Sequence, residues 1–232
     1  MPKTLQVGIK DRLIGWSIFN SVVMLVGSLL SIITGALDLL AIGAVISFLA
    51  LVALGKNHWT PASHFGTGNS ITAVRLAGVW LLCYLGANLP PLAVFAIAAT
   101  VLLLDGVDGL VARKRHEISD FGEFWDKETD AFLMLVLSAR IYLQGLGPAW
   151  LLVMGLMRYI FGIYVFLLKP PAKTERRSRR GRWIYVFSVA ILLSYFLPLP
   201  AWRDLPAGIA VLALLYSFGR DMLWMLRQKF SF

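Results

Sequence analysis

The sequence predicts an all-α, polytopic membrane helical bundle, and three observations carry that expectation. Mean hydropathy is +0.73, and 58% of the 232 residues are hydrophobic. Eight apolar stretches recur at close to the roughly 20 residues that a helix needs to cross a bilayer. Basic residues gather in every second segment between those stretches. Only helices can satisfy all backbone groups in lipid-exposed spans of this length.

The spans read as 14–36, 39–55, 70–87, 89–105, 122–143, 147–168, 183–199 and 205–225. The first two form a hairpin around Gly35-Ala36-Leu37-Asp38, and the short second member also suits a re-entrant segment. Residues 56–68, with Pro61, Gly66 and Gly68, read as a linker to six core spans. Leu89-Pro90-Pro91, Gly145-Leu146-Gly147-Pro148 and Leu197-Pro198-Leu199-Pro200 mark tight turns, because proline lacks a donor and stops helices. The expected organisation is an N-terminal hairpin (1–55), a linker (56–68) and a core (69–232). The first stretch is too long for a signal peptide and has no cleavage-like end, so it is expected to be retained as a span.

Charge sets the expected orientation. Lys3, Lys10, Arg12 and Lys56 flank the hairpin; Arg113, Lys114 and Arg115 follow the fourth span. Lys169, Lys173, Arg176, Arg177, Arg179, Arg180 and Arg182 follow the sixth, and Arg227 and Lys229 close the chain. The opposite turns hold only Arg203, with Arg140 near a helix end. The positive-inside rule then places both termini cytoplasmic, in an inner or plasma membrane. A net charge of +9 held in short loops between apolar spans fits anionic lipid headgroups as partners, not nucleic acid. The lone Cys83 excludes an internal disulfide and reads as a small buried hydrophobe.

Acidic residues are not spread evenly. Asp105, Asp108, Glu117, Asp120, Glu123, Asp126, Glu128 and Asp130 make up most of the chain's 13 carboxylates. Carboxylates at or near membrane depth are costly and usually face a polar cavity or a cation. Asp105 and Asp108 are three apart, Asp126 and Asp130 four apart, so each pair shares one helix face. Two antiparallel helix ends joined by a short loop bring all four together, at the cytoplasmic side. Their mutual repulsion calls for divalent cations, and hard oxygen ligands suit Mg²⁺, Mn²⁺ or Ca²⁺. Gly109, Ala112 and Gly122 let a phosphorylated ligand approach the backbone, and the Arg113 fork suits a phosphate. Gly122 also opens the fifth span, where free amides favour an anion.

These residues, Asp105-x-x-Asp108-Gly109-x-x-Ala112-Arg113, then eight, then Gly122-x-x-x-Asp126-x-x-x-Asp130, match the signature of the CDP-alcohol phosphotransferases at every fixed position. The chain resembles that family from about Asn69 to Leu226, and the hairpin looks like an addition to the common core. Asn69-x-x-Thr72-x-x-Arg75 also resembles the opening of the first core helix in bacterial relatives. The resemblance implies an integral-membrane transferase that moves a phosphatidyl group from CDP-diacylglycerol to the hydroxyl of a polar alcohol, releasing CMP. It implies two ions, Mg²⁺ or Mn²⁺, on Asp105, Asp108, Asp126 and Asp130, with Asp130 also the general base. Asp108, Gly109, Ala112, Arg113 and Gly122 match positions that line the CDP site. Family members are commonly dimers, so a homodimer is implied as well.

The acceptor is less legible. Phosphatidylglycerophosphate-type relatives often read D-P-x-A-D-K at the last two aspartates. Here Asp126-Lys127-Glu128-Thr129-Asp130-Ala131 lacks the proline and the final lysine, which counts against glycerol 3-phosphate. Inositol, inositol phosphate, serine and choline stay open, and Arg176, Arg177 and Arg180 are candidates for contacts to acceptor or phosphate. The other acidic residues of the cluster, Glu128 among them, read as a solvated or headgroup-facing helix end. Two alternatives compete: transfer of a CDP-linked headgroup to diacylglycerol, and a cation transporter with the aspartates as its path.

Overall fold

The computed structural model describes residues 3–168 and 179–230. Every regular element among them is helical. Helices α1 (Lys3–Thr34) and α2 (Asp38–Leu54) form the hairpin. Gly35 turns it with a φ of 73°, a conformation that costs glycine nothing, and its amide closes on Ser31 O at 2.9 Å. The remaining six are α3 (Thr67–Leu85), α4 (Pro91–Lys114), α5 (Asp120–Leu143), α6 (Leu152–Leu168), α7 (Arg179–Ser194) and α8 (Asp204–Phe230). Among the described residues, five helices are long and apolar enough to cross a membrane by length and composition, and Asp38–Leu54 and Gly181–Ser194 are shorter apolar helices. The chain is thus a polytopic membrane bundle, with the expected hairpin and six further helices.

One boundary differs in a way that matters. The fourth span was expected to end at 105, yet α4 runs on to Lys114. Its apolar length is complete near Leu104, and the polar residues beyond continue as helix because none of them breaks it. Asp105, Asp108, Gly109 and Ala112 therefore lie on one continuous helix face.

Helix α5 is the axis of the bundle. Every residue from Ala131 to Ile141 is buried, so this helix is enclosed on all sides and meets α1, α3, α6 and α7. Glycines let α6 come close on both sides: a Cβ at Gly155 would stand 2.3 Å from Ser138 Oγ of α5, and one at Gly162 would stand 2.2 Å from Ser21 Oγ of α1. Small residues serve helix contact in membranes because apolar area gives no advantage over lipid there.

Polar side chains fasten the ends. Arg140, which the sequence places near a turn, is buried and donates to Leu82 O at 3.2 Å and Cys83 O at 2.5 Å, satisfying carbonyls at the end of α3. The segment between α2 and α3 is anchored too. Asn69 Nδ2 donates to Trp59 O and Phe65 O at 3.0 and 2.6 Å, and Ser119 Oγ donates to Trp59 O at 2.6 Å. Trp59, Phe65, Phe121 and Trp125 form an aromatic cluster over the start of α5, with successive ring centroids 5.5 to 6.1 Å apart.

Candidate functional site

Three helices build the acidic site. Helix α4 presents Asp105 and Asp108, α5 presents Asp126 and Asp130, and α3 inserts Thr72 and Arg75 between them. The Arg75 side chain is fully buried and its guanidinium reaches all four carboxylates. Nη2 lies 2.8 Å from Asp105 Oδ1 and also meets Asp130; Nη1 lies 2.7 Å from Asp126 Oδ1 and also meets Asp108. Asp108 is held further by Thr72 Oγ1 at 2.9 Å on Oδ2 and by the Gly109 amide at 2.6 Å on Oδ1.

Charge and exposure point the same way. One guanidinium faces four carboxyl groups in this group of side chains, so side chains can compensate at most one of them. Asp108 is only 5% exposed, whereas Asp105, Asp126 and Asp130 keep 24%, 33% and 21%. The cluster therefore has a closed floor and an open face. Asp105, Asp108 and Asp126 each offer an oxygen, all within 4.8 Å of one another. An all-oxygen donor set in which carboxyl groups outnumber the cation fits a hard divalent ion.

The small residues of the sequence pattern divide in two. Gly109 is open on its outer side, where a Cβ would meet only the guanidinium of exposed Arg113, at 3.4 Å. Ala112 and Gly122, in contrast, accommodate α3. A Cβ on Gly68 would stand 2.9 Å from Ala112 Cβ, and a Cβ on Gly122 would stand 2.9 Å from Asn69 Oδ1. The Gly122 amide, expected to be free for an anion, receives the N-cap instead: it donates to Ser119 Oγ at 3.0 Å. Arg176 and Arg177 lie outside the described residues, and Arg180 sits in the first turn of α7.

Three residues carry more than their sequence positions disclosed. Arg75 stood out only through its spacing with Asn69 and Thr72; all three are buried, on the face of α3 that meets α4 and α5. Glu128 is not a solvated helix end but is 1% exposed, with Arg158 Nη2 at 2.6 Å from Oε1. That ion pair places the Arg158 side chain of α6 against α5. Tyr185 of α7 lies beside Asp130, with its buried hydroxyl close to that carboxylate.

Comparison with known proteins adds two findings. Residues 65–219 match the family described as CDP-alcohol phosphatidyltransferase, so α3 to α7 and part of α8 lie within the match and the hairpin precedes it. A curated relative, the archaetidylinositol phosphate synthase of Aeropyrum pernix, is 31% identical over 138 residues, covering 60% of this chain and 63% of that protein. The chain thus spans just under two thirds of the length of that relative. No solved structure matches the chain.

Proposed function

The chain belongs to the CDP-alcohol phosphatidyltransferase family, and from that premise we propose that it transfers a phosphatidyl-type group from a CDP-linked diradyl lipid, CDP-diacylglycerol in the first instance, to the hydroxyl of a polar alcohol. The observation that carries this reading is the convergence of four carboxylates from α4 and α5 on one open-faced site, beside Gly109 and Arg113.

Asp105, Asp108, Asp126 and Asp130 would hold the divalent ions, two of Mg²⁺ or Mn²⁺. Bound there, such ions neutralise a diphosphate and polarise its phosphorus, the role of paired metals in phosphoryl chemistry. Gly109 leaves room for the nucleotide against α4, and the exposed Arg113 guanidinium pairs with a phosphate oxygen. Gly122 and Ala112 serve this face by letting α3 approach. Asp130 accepts the proton of the incoming hydroxyl. The hydroxyl oxygen forms a bond to the β-phosphorus, the bond from that phosphorus to the CMP oxygen breaks, and CMP leaves with the electron pair. Thr72 and Arg75 hold Asp108 in place throughout.

For the acceptor, inositol phosphate is the leading candidate. The similar protein from Aeropyrum pernix is named for an inositol phosphate product. The basic run with Arg176, Arg177 and Arg180 would suit an acceptor that carries a phosphate. The basic loops also favour a cytoplasmic site and termini. Residues 1–55 form the hairpin unit, 56–68 the linker and 69–232 the core, and the working unit is a homodimer. A cation path is the poorer alternative, because it has no need of Gly109, Ala112, Arg113 and Gly122 at their fixed spacing.

The test is Mn²⁺- or Mg²⁺-dependent CMP release by purified protein from CDP-diacylglycerol. The acceptor panel is inositol phosphate, inositol, glycerol 3-phosphate, serine and choline. Release stimulated by inositol phosphate above the others is expected. Stimulation by a different alcohol overturns the acceptor. Absence of release with every alcohol, followed by activity with a CDP-linked headgroup and diacylglycerol, overturns the direction of transfer.

A further inference from the structure

A second buried polar group lies on the far side of α5 from the four aspartates. Asp126 and Asp130 face α3 and α4; Glu128, two residues from each, is turned by about 200° to the opposite face. There it accepts three hydrogen bonds. Ser17 Oγ of α1 donates to Oε1 at 3.0 Å, Asn20 Nδ2 of α1 donates to Oε2 at 2.9 Å, and Arg158 Nη2 of α6 donates to Oε1 at 2.6 Å. Two of the three donors therefore come from the hairpin.

The hairpin orders those donors in turn. Ser47 Oγ of α2 donates to Asn20 Oδ1 at 2.8 Å, which leaves the amide NH₂ directed at Glu128. Trp16 Nε1 closes α1 on α2 by donating to Ser47 O at 2.8 Å. Ser17, Asn20, Ser47 and Glu128 are all buried. Phe48 of α2 adds apolar contact, its ring 5.7 Å from Trp125 and 5.8 Å from Phe132, one on each side of Glu128 along α5. A buried carboxylate strongly favours keeping its partners, since a donor withdrawn leaves charge that nothing else solvates.

Helix α5 is consequently gripped on two faces, by Arg75 on one and by the hairpin on the other. We propose that the hairpin is a working part of the active-site scaffold: through Ser17 and Asn20 it holds Glu128, and Glu128 is a positioning residue that sets the rotation of α5 and so the placement of Asp126 and Asp130. This rests on the reading of the four aspartates as a divalent-cation site. The hairpin lies outside the residues shared with the family, and the signature leaves position 128 unspecified.

Full-length protein in nanodiscs carrying Ser17→Ala with Asn20→Leu tests this, because neither residue touches the aspartates. The primary readout is Mn²⁺ half-saturation by electron paramagnetic resonance, with kcat and acceptor KM alongside. Outer partners of a metal site shift its affinity by roughly 10–100-fold. The double variant is expected to raise Mn²⁺ half-saturation by about tenfold and to lower kcat while leaving acceptor KM in place. Ser17→Thr, which keeps the hydroxyl, should restore the wild-type value in an otherwise unaltered chain. Folded double variant with wild-type half-saturation and kcat overturns the proposal. If the double variant does not fold, Ser17→Ala alone decides: a raised half-saturation supports coupling and an unchanged one overturns it. Wild-type protein that binds no Mn²⁺ overturns the metal reading itself, an outcome distinct from normal binding that ignores the hairpin.

Discussion

Arg75 Nη1 and Asp126 Oδ1 stand 2.7 Å apart across the seam of α3 and α5. The same guanidinium bridges to Asp105, Asp108 and Asp130. A single fixed cation thereby holds three helices together at the point of greatest negative charge. Removing one member of a buried ion group costs about 3–5 kcal/mol, mainly because its partners are left uncompensated. Arg75→Met is therefore expected to destabilise metal-free protein strongly. Divalent ions should recover much of that loss by taking over the neutralisation. The check is thermal unfolding with chelator and with Mn²⁺: the gain from Mn²⁺ should be several degrees larger in the variant than in wild type, at roughly 2–4 °C per kcal/mol for a chain of this size.

Asp105→Asn, Asp108→Asn and Asp126→Asn should each lower CMP release by about three orders of magnitude, or ~4 kcal/mol in barrier height. Folded protein should still be recovered, as each substitution keeps side-chain shape. Near-normal turnover in any one of them removes that residue from the metal set.

Asp130→Asn separates two roles. An amide cannot take the acceptor proton, and loss of a general base costs roughly 10²–10⁴ in rate. Metal-dependent CDP binding, read by calorimetry, should persist. If CDP binding is lost with turnover, Asp130 acts first as a ligand.

Gly122→Ala distinguishes packing from nucleotide contact. The added Cβ would stand 2.9 Å from Asn69 Oδ1, and Asn69 in turn holds the Trp59 and Phe65 carbonyls. Overpacking of this kind costs about 1–3 kcal/mol. A lowered melting temperature with a proportionate loss of CDP affinity is expected. Lost affinity at an unchanged melting temperature would instead put the nucleotide directly against position 122.

Tyr185 presents a buried hydroxyl beside the Asp130 carboxyl. An acceptor alcohol whose proton Asp130 takes would lie within reach of that hydroxyl. Tyr185→Phe should raise acceptor KM by about tenfold, the equivalent of one hydrogen bond, without lowering the melting temperature. An unchanged KM would take Tyr185 out of the acceptor site.

The membrane bundle was legible because hydropathy and loop charge act locally, and both leave their mark within one span. The four aspartates were legible for a similar reason: helical spacing on two successive elements predicts their faces. Arg75 was not, since its partners lie 30 to 55 positions away and the guanidinium meets them only once α3 docks. Glu128 failed as an expectation for the same cause. Flanked by Lys127 and the paired aspartates, it looked solvated, and its donors Ser17 and Asn20 are 111 and 108 residues distant. A signal was present in α1. Ser17, Ser21, Ser28 and Ser31, with Met24 between them, recur at three- and four-residue steps and are all buried, a stripe of mostly small residues suited to helix contact. Read as such, it would have joined the hairpin to the core.

Arg75 precedes in the chain every aspartate it neutralises. A polypeptide made from its N-terminus delivers α3 to the bilayer ahead of α4 and α5, so each carboxylate-bearing helix arrives to find its countercharge already waiting. One positive charge for the acidic centre is thus supplied by the chain itself, on the helix that comes first.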